Sequence, residues 1–204
     1  MTSLTMERPK SGLAARKKER TKQQLAEAAA ELFYQRGYAA TTVDDIVAAV
    51  DVSPRTFFRY FPTKEDLVVA LGATSLDLFL EALRNRPPEE SLQVAVGEAI
   101  GESLAAGWED TTKVRSFLAL IGETPVLRAR WLEEAYGKRD LMAEVIAERT
   151  GSDPRDLRNL IIAGAITLTI NTALQEWADQ EAGGTAAPFV YRGLGELASP
   201  LLPT

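Results

Sequence analysis

The tightest constraint on the fold lies in residues 42–66, where two short helical patterns meet at a turn. Val43, Ile46, Val47 and Val50 recur at the helical repeat and make one apolar face. Thr42 stands where its side chain caps that helix, and Asp45 sits near the positive end of the dipole. The turn is Asp51-Val52-Ser53. Ser53 then caps a second helix beginning on Pro54, a position where a missing N–H costs nothing. Wound at the helical period, Phe57, Phe58 and Phe61 fall on one face, expected in the core, while Arg55, Thr56, Arg59 and Tyr60 fall on the other. A short helix that presents guanidiniums, a hydroxyl and a phenol suits a DNA major groove. The same face would also serve as an ordinary solvated surface, since helix pairs are common.

The flanking residues narrow that choice. Leu25-Ala26-Glu27-Ala28-Ala29-Ala30-Glu31-Leu32-Phe33, then Gly37-Tyr38, Thr41-Thr42-Val43 and Ile46, closely resemble the N-terminal domain of the TetR family of bacterial repressors. Val52-Ser53, Thr56 through Phe61, and Lys64-Glu65-Asp66-Leu67 continue the likeness, which covers about residues 16–70. The resemblance implies a three-helix DNA-binding domain, a helical ligand-binding domain behind it, and a homodimer. Two residues depart from the family pattern. Asp51 stands where Gly is usual, so it must accept the turn without glycine's freedom. Phe58 stands where a phosphate-contacting Tyr is common, so one hydroxyl is lost; Tyr60, where His is common, can still donate to a phosphate.

Composition excludes other classes. The chain has 204 residues and neither Cys nor His, which removes disulfides, thiolate nucleophiles, Cys-ligated metals, Ser-His-Asp triads and the Glu-x-x-His pattern of di-iron bundles. No cofactor, metal site or enzymatic activity is expected. The longest apolar run, Leu160 to Ile170, contains Gly and Thr and is short for a bilayer, and the polar, basic N-terminus lacks a secretory signal's apolar stretch. A cytoplasmic protein without a membrane partner is the expectation. Net charge is −6, but residues 1–70 hold 11 basic and 9 acidic residues, net +2, against 12 and 20, net −8, in the remainder. That asymmetry would orient the N-terminal domain toward DNA.

In order, residues 1–15 read as a flexible arm, 16–66 as the DNA-binding domain and 67–200 as a helical ligand-binding and dimerisation domain. Arg16, Lys17, Lys18, Arg20 and Lys22 can contact phosphates or the minor groove from an arm or a helix start; a solvated basic tail is the alternative. Gly37 closes the first helix. A fourth helix opens at Thr63-Lys64-Glu65-Asp66 and runs to about Leu83, spanning both domains as a mechanical link. Pro87-Pro88 breaks the chain, and helices follow near 89–108, 112–123, 125–149, 154–180 and 188–198. The fold class is all-α, with about nine helices and no competing strand pattern.

Residues 154–180 form a helix that is apolar on most sides, with Ala163, Gly164 and Ala165 small enough for close approach. By resemblance the last two long helices pair with their copies in a homodimer; an ordinary central core helix is the alternative. Thr167, Thr169 and Asn171 are polar groups within it that need partners, from backbone or from a ligand. The candidate effector pocket comprises Phe79, Trp108, Phe117, Ile121, Trp131, Thr167 and Asn171, though aromatics at this spacing also build plain cores. Residues Arg149 to Pro154 and Gln175-Glu176-Trp177 are similar to actinobacterial TetR-type regulators of acyl-CoA-like ligands.

The expected function is a ligand-responsive transcriptional repressor that binds palindromic double-stranded operator DNA as a homodimer. A small hydrophobic or amphipathic effector, acyl-CoA-like by the second resemblance, would release it. Arg55 and Thr56 are placed at the bases, Thr42, Ser53, Tyr60 and Lys64 at phosphates, and Arg59 in either role. A helical ligand carrier or interaction dimer that leaves DNA alone is the alternative.

Overall fold

The computed structural model describes residues 11–107, 111–180 and 184–198, and every regular element among them is helical. The first three helices are α1 (Ser11–Arg36), α2 (Val43–Val50) and α3 (Pro54–Tyr60). The long linking helix is α4 (Asp66–Asn85), followed by α5 (Leu92–Gly107), α6 (Thr111–Glu123), α7 (Pro125–Gly137), α8 (Arg139–Thr150), α9 (Leu157–Asp179) and α10 (Ala187–Ala198). The helical character of the backbone begins at Ser11, so the last five residues of the stretch read as a flexible arm, 1–15, are already helical, and the basic run from Arg16 to Lys22 lies along α1. The segment 125–149 is two helices. Lys138, at φ −95° and ψ 5°, leaves the helical region just after Gly137, and its ammonium ties back to Asp77 and Glu134. Gly137 tolerates the break that the proline-led pattern at Pro125 did not announce.

Two apolar cores follow from this order. The first gathers Leu25, Ala29 and Phe33 of α1, Ile46 and Val47 of α2, Phe57 and Phe61 around α3, and Leu67 and Val68 of α4. Phe117, Ile121 and Leu127 close it from behind, although they belong to later helices. The second core joins Phe79, Leu80 and Leu83 of α4 to α5, α8, α9 and α10, with Trp177 almost wholly buried. Helix α4 therefore contributes to both, as its length predicts: its first turn sits in one core and its last turns in the other.

Arg149 and Asn159 explain the Arg149–Pro154 motif. The Arg149 guanidinium donates to the carbonyls of Arg86, Pro87 and Glu90, pinning the α4–α5 connection. Gly151 ends α8 in the left-handed conformation at φ 64°, and buried Asn159 donates to Ser152 and to the Asp153 carbonyl. The motif fastens one end of the bundle. By length and composition alone α9 is apolar enough to cross a bilayer, so run length does not decide its environment. In the fold it packs on α6, α8 and α10, burying Ala163, Ile166, Ile170, Ala173, Leu174 and Trp177.

Candidate DNA-reading face and effector pocket

Helix α2 starts on a complete capping box. The Asp45 N–H donates to Thr42 Oγ1 at 3.2 Å, and the Asp45 carboxylate accepts from the Thr42 N–H at 2.8 Å and from the Thr42 hydroxyl at 2.6 Å. These bonds hold the Asp45 carboxyl below its ordinary range, helped by Arg36 at 3.2 Å. The turn passes through Asp51 at φ 55°, ψ 49°, the one left-handed non-glycine among the described residues. Ser53 then caps α3, accepting from the Thr56 N–H at 3.2 Å and sharing a 3.0 Å contact with the Thr56 hydroxyl. Phe57 and Phe61 are buried and fix the helix from beneath. Phe58 is not in the core: it is 55 % exposed and stacks edge-on against Phe57. With only seven residues, α3 buries a narrow stripe, and Phe58 falls outside it beside Arg55.

Arg55 and Arg59 are exposed, as the sequence led one to expect. Arg59 lies over the Tyr60 ring at 4.7 Å and donates to its hydroxyl at 2.8 Å, so the two form one unit. Lys64 behaves differently. Its ammonium turns inward, donating at 2.8 Å to both the Tyr38 and Thr41 carbonyls and resting 3.8 Å above the Tyr38 ring. The Tyr38 hydroxyl in turn donates to Glu65. Burial lowers the Lys64 pKa, with neighbouring Glu65 opposing it, and burial together with Glu65 raises that of Tyr38. Burial pushes Glu65 up, but hydrogen bonds from Tyr38, the backbone and Thr63, with Lys64 beside it, leave it below its ordinary value. In this DNA-free geometry the Lys64 ammonium ties down the α1–α2 loop, whereas the sequence reading placed it on a phosphate of bound DNA. Tyr38 and Glu65 were missed as its partners; both lay in the quoted motifs, without a signal that they touch.

Behind this face, α4, α5, α6, α7, α8 and α9 line a partly open cavity of about 80 Å³. Phe79, Phe117, Trp131, Thr167 and Asn171 all line it. Ile121 does not: it is buried in the first core, one turn of α6 beyond Phe117. Trp108 lies outside the described residues. The walls missing from the candidate list are mainly aliphatic, among them Leu76, Ile100, Val114 and Met142, with Ser75, Ser103 and Glu134 as the polar exceptions. Trp131 Nε1 donates to Asn171 Oδ1, Asn171 Nδ2 donates to the Thr167 carbonyl at 2.8 Å, and Thr167 Oγ1 donates to the Ala163 carbonyl at 2.8 Å. Gly72 gives the Trp131 ring its place, since a Cβ there would stand 2.5 Å from the ring.

A family model described as "Bacterial regulatory proteins, tetR family" matches residues 25–71, and one described as "MftR C-terminal domain" matches residues 90–202. The regulator TcmR of Streptomyces glaucescens is 34 % identical over 81 % of this chain and 76 % of its own. The chain belongs to the TetR family. Its relatives also include the transcriptional regulator MftR of Mycobacterium tuberculosis (strain ATCC 25618 / H37Rv), 26 % identical over 93 % of this chain and 98 % of that one. Among solved structures, the TetR-family repressor FadR of Thermus thermophilus, crystallised with lauroyl-CoA, superposes with a TM-score of 0.62 and 25 % identity, covering 90 % of this chain and 96 % of that one. This TetR-family chain is accordingly a DNA-binding transcriptional regulator with a ligand-binding C-terminal domain.

The two halves of the TetR-family architecture are tied here by specific contacts. Lys113 of α6 pairs with Glu31 of α1 at 2.6 Å, and Arg130 of α7 stands 3.8 Å from Asp66 at the start of α4. Phe117 lines the cavity and belongs to the first core, and Trp131, edge-on to Phe117 at 6.1 Å, packs against both cores.

Proposed function

We propose that this regulator is a cytoplasmic homodimeric repressor that binds a palindromic operator and is released when a small hydrophobic or amphipathic effector enters the cavity around Phe117 and Trp131. The observation that carries this reading is the double membership of Phe117, which forms a wall of the cavity and part of the floor of the DNA-binding domain. At about 80 Å³ the cavity is smaller than the roughly 300–1,000 Å³ of sites that hold drug-sized ligands. An occupant must therefore part its walls. Moving α6 or α7 displaces Phe117, Ile121 and Leu127 from the first core, and moving α4 tilts the helix that carries the reading head. Residues 16–66 act as that head and 67–200 as the sensor, with α4 common to both.

On DNA, each α3 enters one major groove, half-sites lying about one helical turn, roughly 34–36 Å, apart. Arg55 reads a base, guanine by its bidentate geometry, and Thr56 approaches a base edge or thymine methyl. Thr42, Ser53 and Tyr60 set register on phosphates, and Arg59 acts through Tyr60. Lys64 supports the loop beneath them. Dimerisation runs through α9 and α10: Leu157, Ile161 and Leu168 are 69 %, 60 % and 61 % exposed along one side of α9, an apolar stripe suited to a second copy. A near-complete effector switch requires about 5.5 kcal/mol of differential affinity between the two states.

Fluorescence anisotropy on DNA upstream of the protein's own gene, at two salt concentrations and against random duplex, tests the reading. Saturation at two protomers or a multiple per site, tighter than random DNA and weakened by salt, supports it. Binding to no DNA at low salt would move the reading to a ligand carrier.

A further inference from the structure

The polar groups of the effector cavity carry information about what it accepts. Among the described lining residues Glu134 is the one charged side chain, and neither lysine nor arginine lines the wall. Lys138, the cation that approaches Glu134 at 3.9 Å, is already engaged by Asp77.

The hydrogen-bond inventory points the same way. Ser75 Oγ donates to the Leu71 carbonyl, Ser103 Oγ to Ile100 and Thr167 Oγ1 to Ala163, so each hydroxyl proton is spent on its own helix. The single indole proton of Trp131 goes to Asn171, and one amide proton of Asn171 goes to Thr167. What these groups have left to offer is chiefly acceptor capacity: hydroxyl lone pairs and the Glu134 carboxylate. A carboxylate or phosphate entering here would set lone pairs against lone pairs, and burying an unpaired anion is costly. A hydroxyl or an ammonium would find partners, and Phe79, Phe117 and Trp131 offer aromatic surface that suits an apolar body and tolerates a cation.

We infer that the effector is an apolar molecule whose polar end donates hydrogen bonds, a hydroxyl or a protonated amine, and which carries no carboxylate or phosphate on the part that enters the cavity. This rests on the reading of the cavity as the effector site. A CoA thioester, the ligand present in the Thermus FadR crystal, would bring a carbonyl that only accepts, and its phosphates would have to stay outside the cavity.

A head-group series on one tail tests it. Dodecanol, dodecylammonium, laurate and lauroyl-CoA, each kept below its micellar concentration, are titrated into the full-length protein by calorimetry. They are also titrated in parallel into the protein bound to operator DNA, with release followed by anisotropy. The expected ranking puts dodecanol and dodecylammonium about tenfold or more tighter than laurate and lauroyl-CoA, the difference one unpaired buried polar group makes. Thr167→Val, which removes an acceptor at nearly constant volume, should compress that gap, and Glu134→Gln should narrow the advantage of the ammonium. Leu76→Trp, which fills the cavity from α4, should weaken every member. Laurate or lauroyl-CoA binding equally or more tightly, with Leu76→Trp still blocking it, overturns the head-group inference and leaves the effector site standing. Affinities that neither Leu76→Trp nor Thr167→Val alters, or no binding by any member, overturn the site and the inference with it. Thr167→Val keeps the location testable should the tryptophan variant misfold.

Discussion

Replacing Lys64 with methionine separates two roles that a lysine beside DNA can play. The substitution keeps most of the aliphatic stem and removes the ammonium. Two bonds of 2.8 Å to the Tyr38 and Thr41 carbonyls are lost, together with the contact 3.8 Å above the Tyr38 ring. Hydrogen bonds to a charged group contribute about 1.5–3 kcal/mol each and an exposed cation–π contact about 0.5–1 kcal/mol. Against these stands the cost of partly burying the ammonium, visible in its lowered pKa, and water can replace part of what is lost at a half-exposed site. The net loss should be about 2 kcal/mol, or about 4–8 °C in Tm for a chain of this size. The assay pairs thermal unfolding by circular dichroism with DNA anisotropy across salt. If Lys64 is a clamp, Tm falls and the slope of log affinity against log salt is unchanged. If its ammonium instead neutralises a phosphate in the complex, Tm holds and the slope shrinks by about one unit. The second result would refute the inward geometry as the working one.

Three further outcomes are expected. Arg55→Ala should weaken operator binding by about 1–3 kcal/mol and relax one base position in a selection from randomised duplexes; equal losses on operator and random DNA would defeat base reading. Asp51→Gly should raise stability by about 0.5–1 kcal/mol, because relief of the left-handed cost at φ 55° exceeds glycine's added chain entropy; a less stable variant in urea would count against strain there. Glu65, held below its ordinary value of 4.5, binds its proton less readily in the folded chain than in the unfolded one. Its contribution is full above that value and is lost as pH falls through the lowered folded value, so Glu65→Gln should flatten the acid limb of a Tm–pH profile.

Much of this molecule was legible because local rules and tertiary packing agree. Thr42, Ser53 and Pro54 delimit α2 and α3 by backbone chemistry that operates whatever the rest of the chain does. Asp51 was readable as a residue that must accept the turn without glycine's freedom because it stands where the resembled family usually has Gly, and it does adopt the left-handed conformation. Phe58 was not readable: periodicity groups it with Phe57 and Phe61, but how wide a stripe a seven-residue helix buries depends on what lies beneath it. The inward bonds of Lys64 escaped for a similar reason. Its partners are main-chain carbonyls 26 and 23 residues away, and a carbonyl has no residue type to give it away. In the cavity, Phe79, Phe117, Trp131, Thr167 and Asn171 were found because aromatics and buried hydroxyls are conspicuous in apolar helices. Leu76, Ile100, Val114 and Met142 look like any other core residue until the helices are assembled.

Ile121 shows why the pocket and the reading head cannot be assigned by segment. It lies on the same helix as Phe117, four residues further on, yet faces the first core only, while Phe117 faces both. A side chain that bounds two compartments cannot shift for one without changing the other, because a packed interior leaves little free volume to absorb the movement. Here Phe117 bounds the effector cavity and the hydrophobic floor under α1, and Trp131 braces it edge-on while holding Asn171 on α9. Gly72 on α4 completes the arrangement, since only a residue without a Cβ lets the Trp131 ring lie against the linking helix. The route from effector to DNA in this reading is therefore short: an occupant displaces Trp131 or Phe117, and the displaced ring presses either on α4 through Gly72 or on the core that carries α3. No relay through the far end of the bundle is needed, which leaves the Arg149 clamp and the apolar stripe of α9 free to hold α4–α5 and the dimer partner fixed while the near end moves.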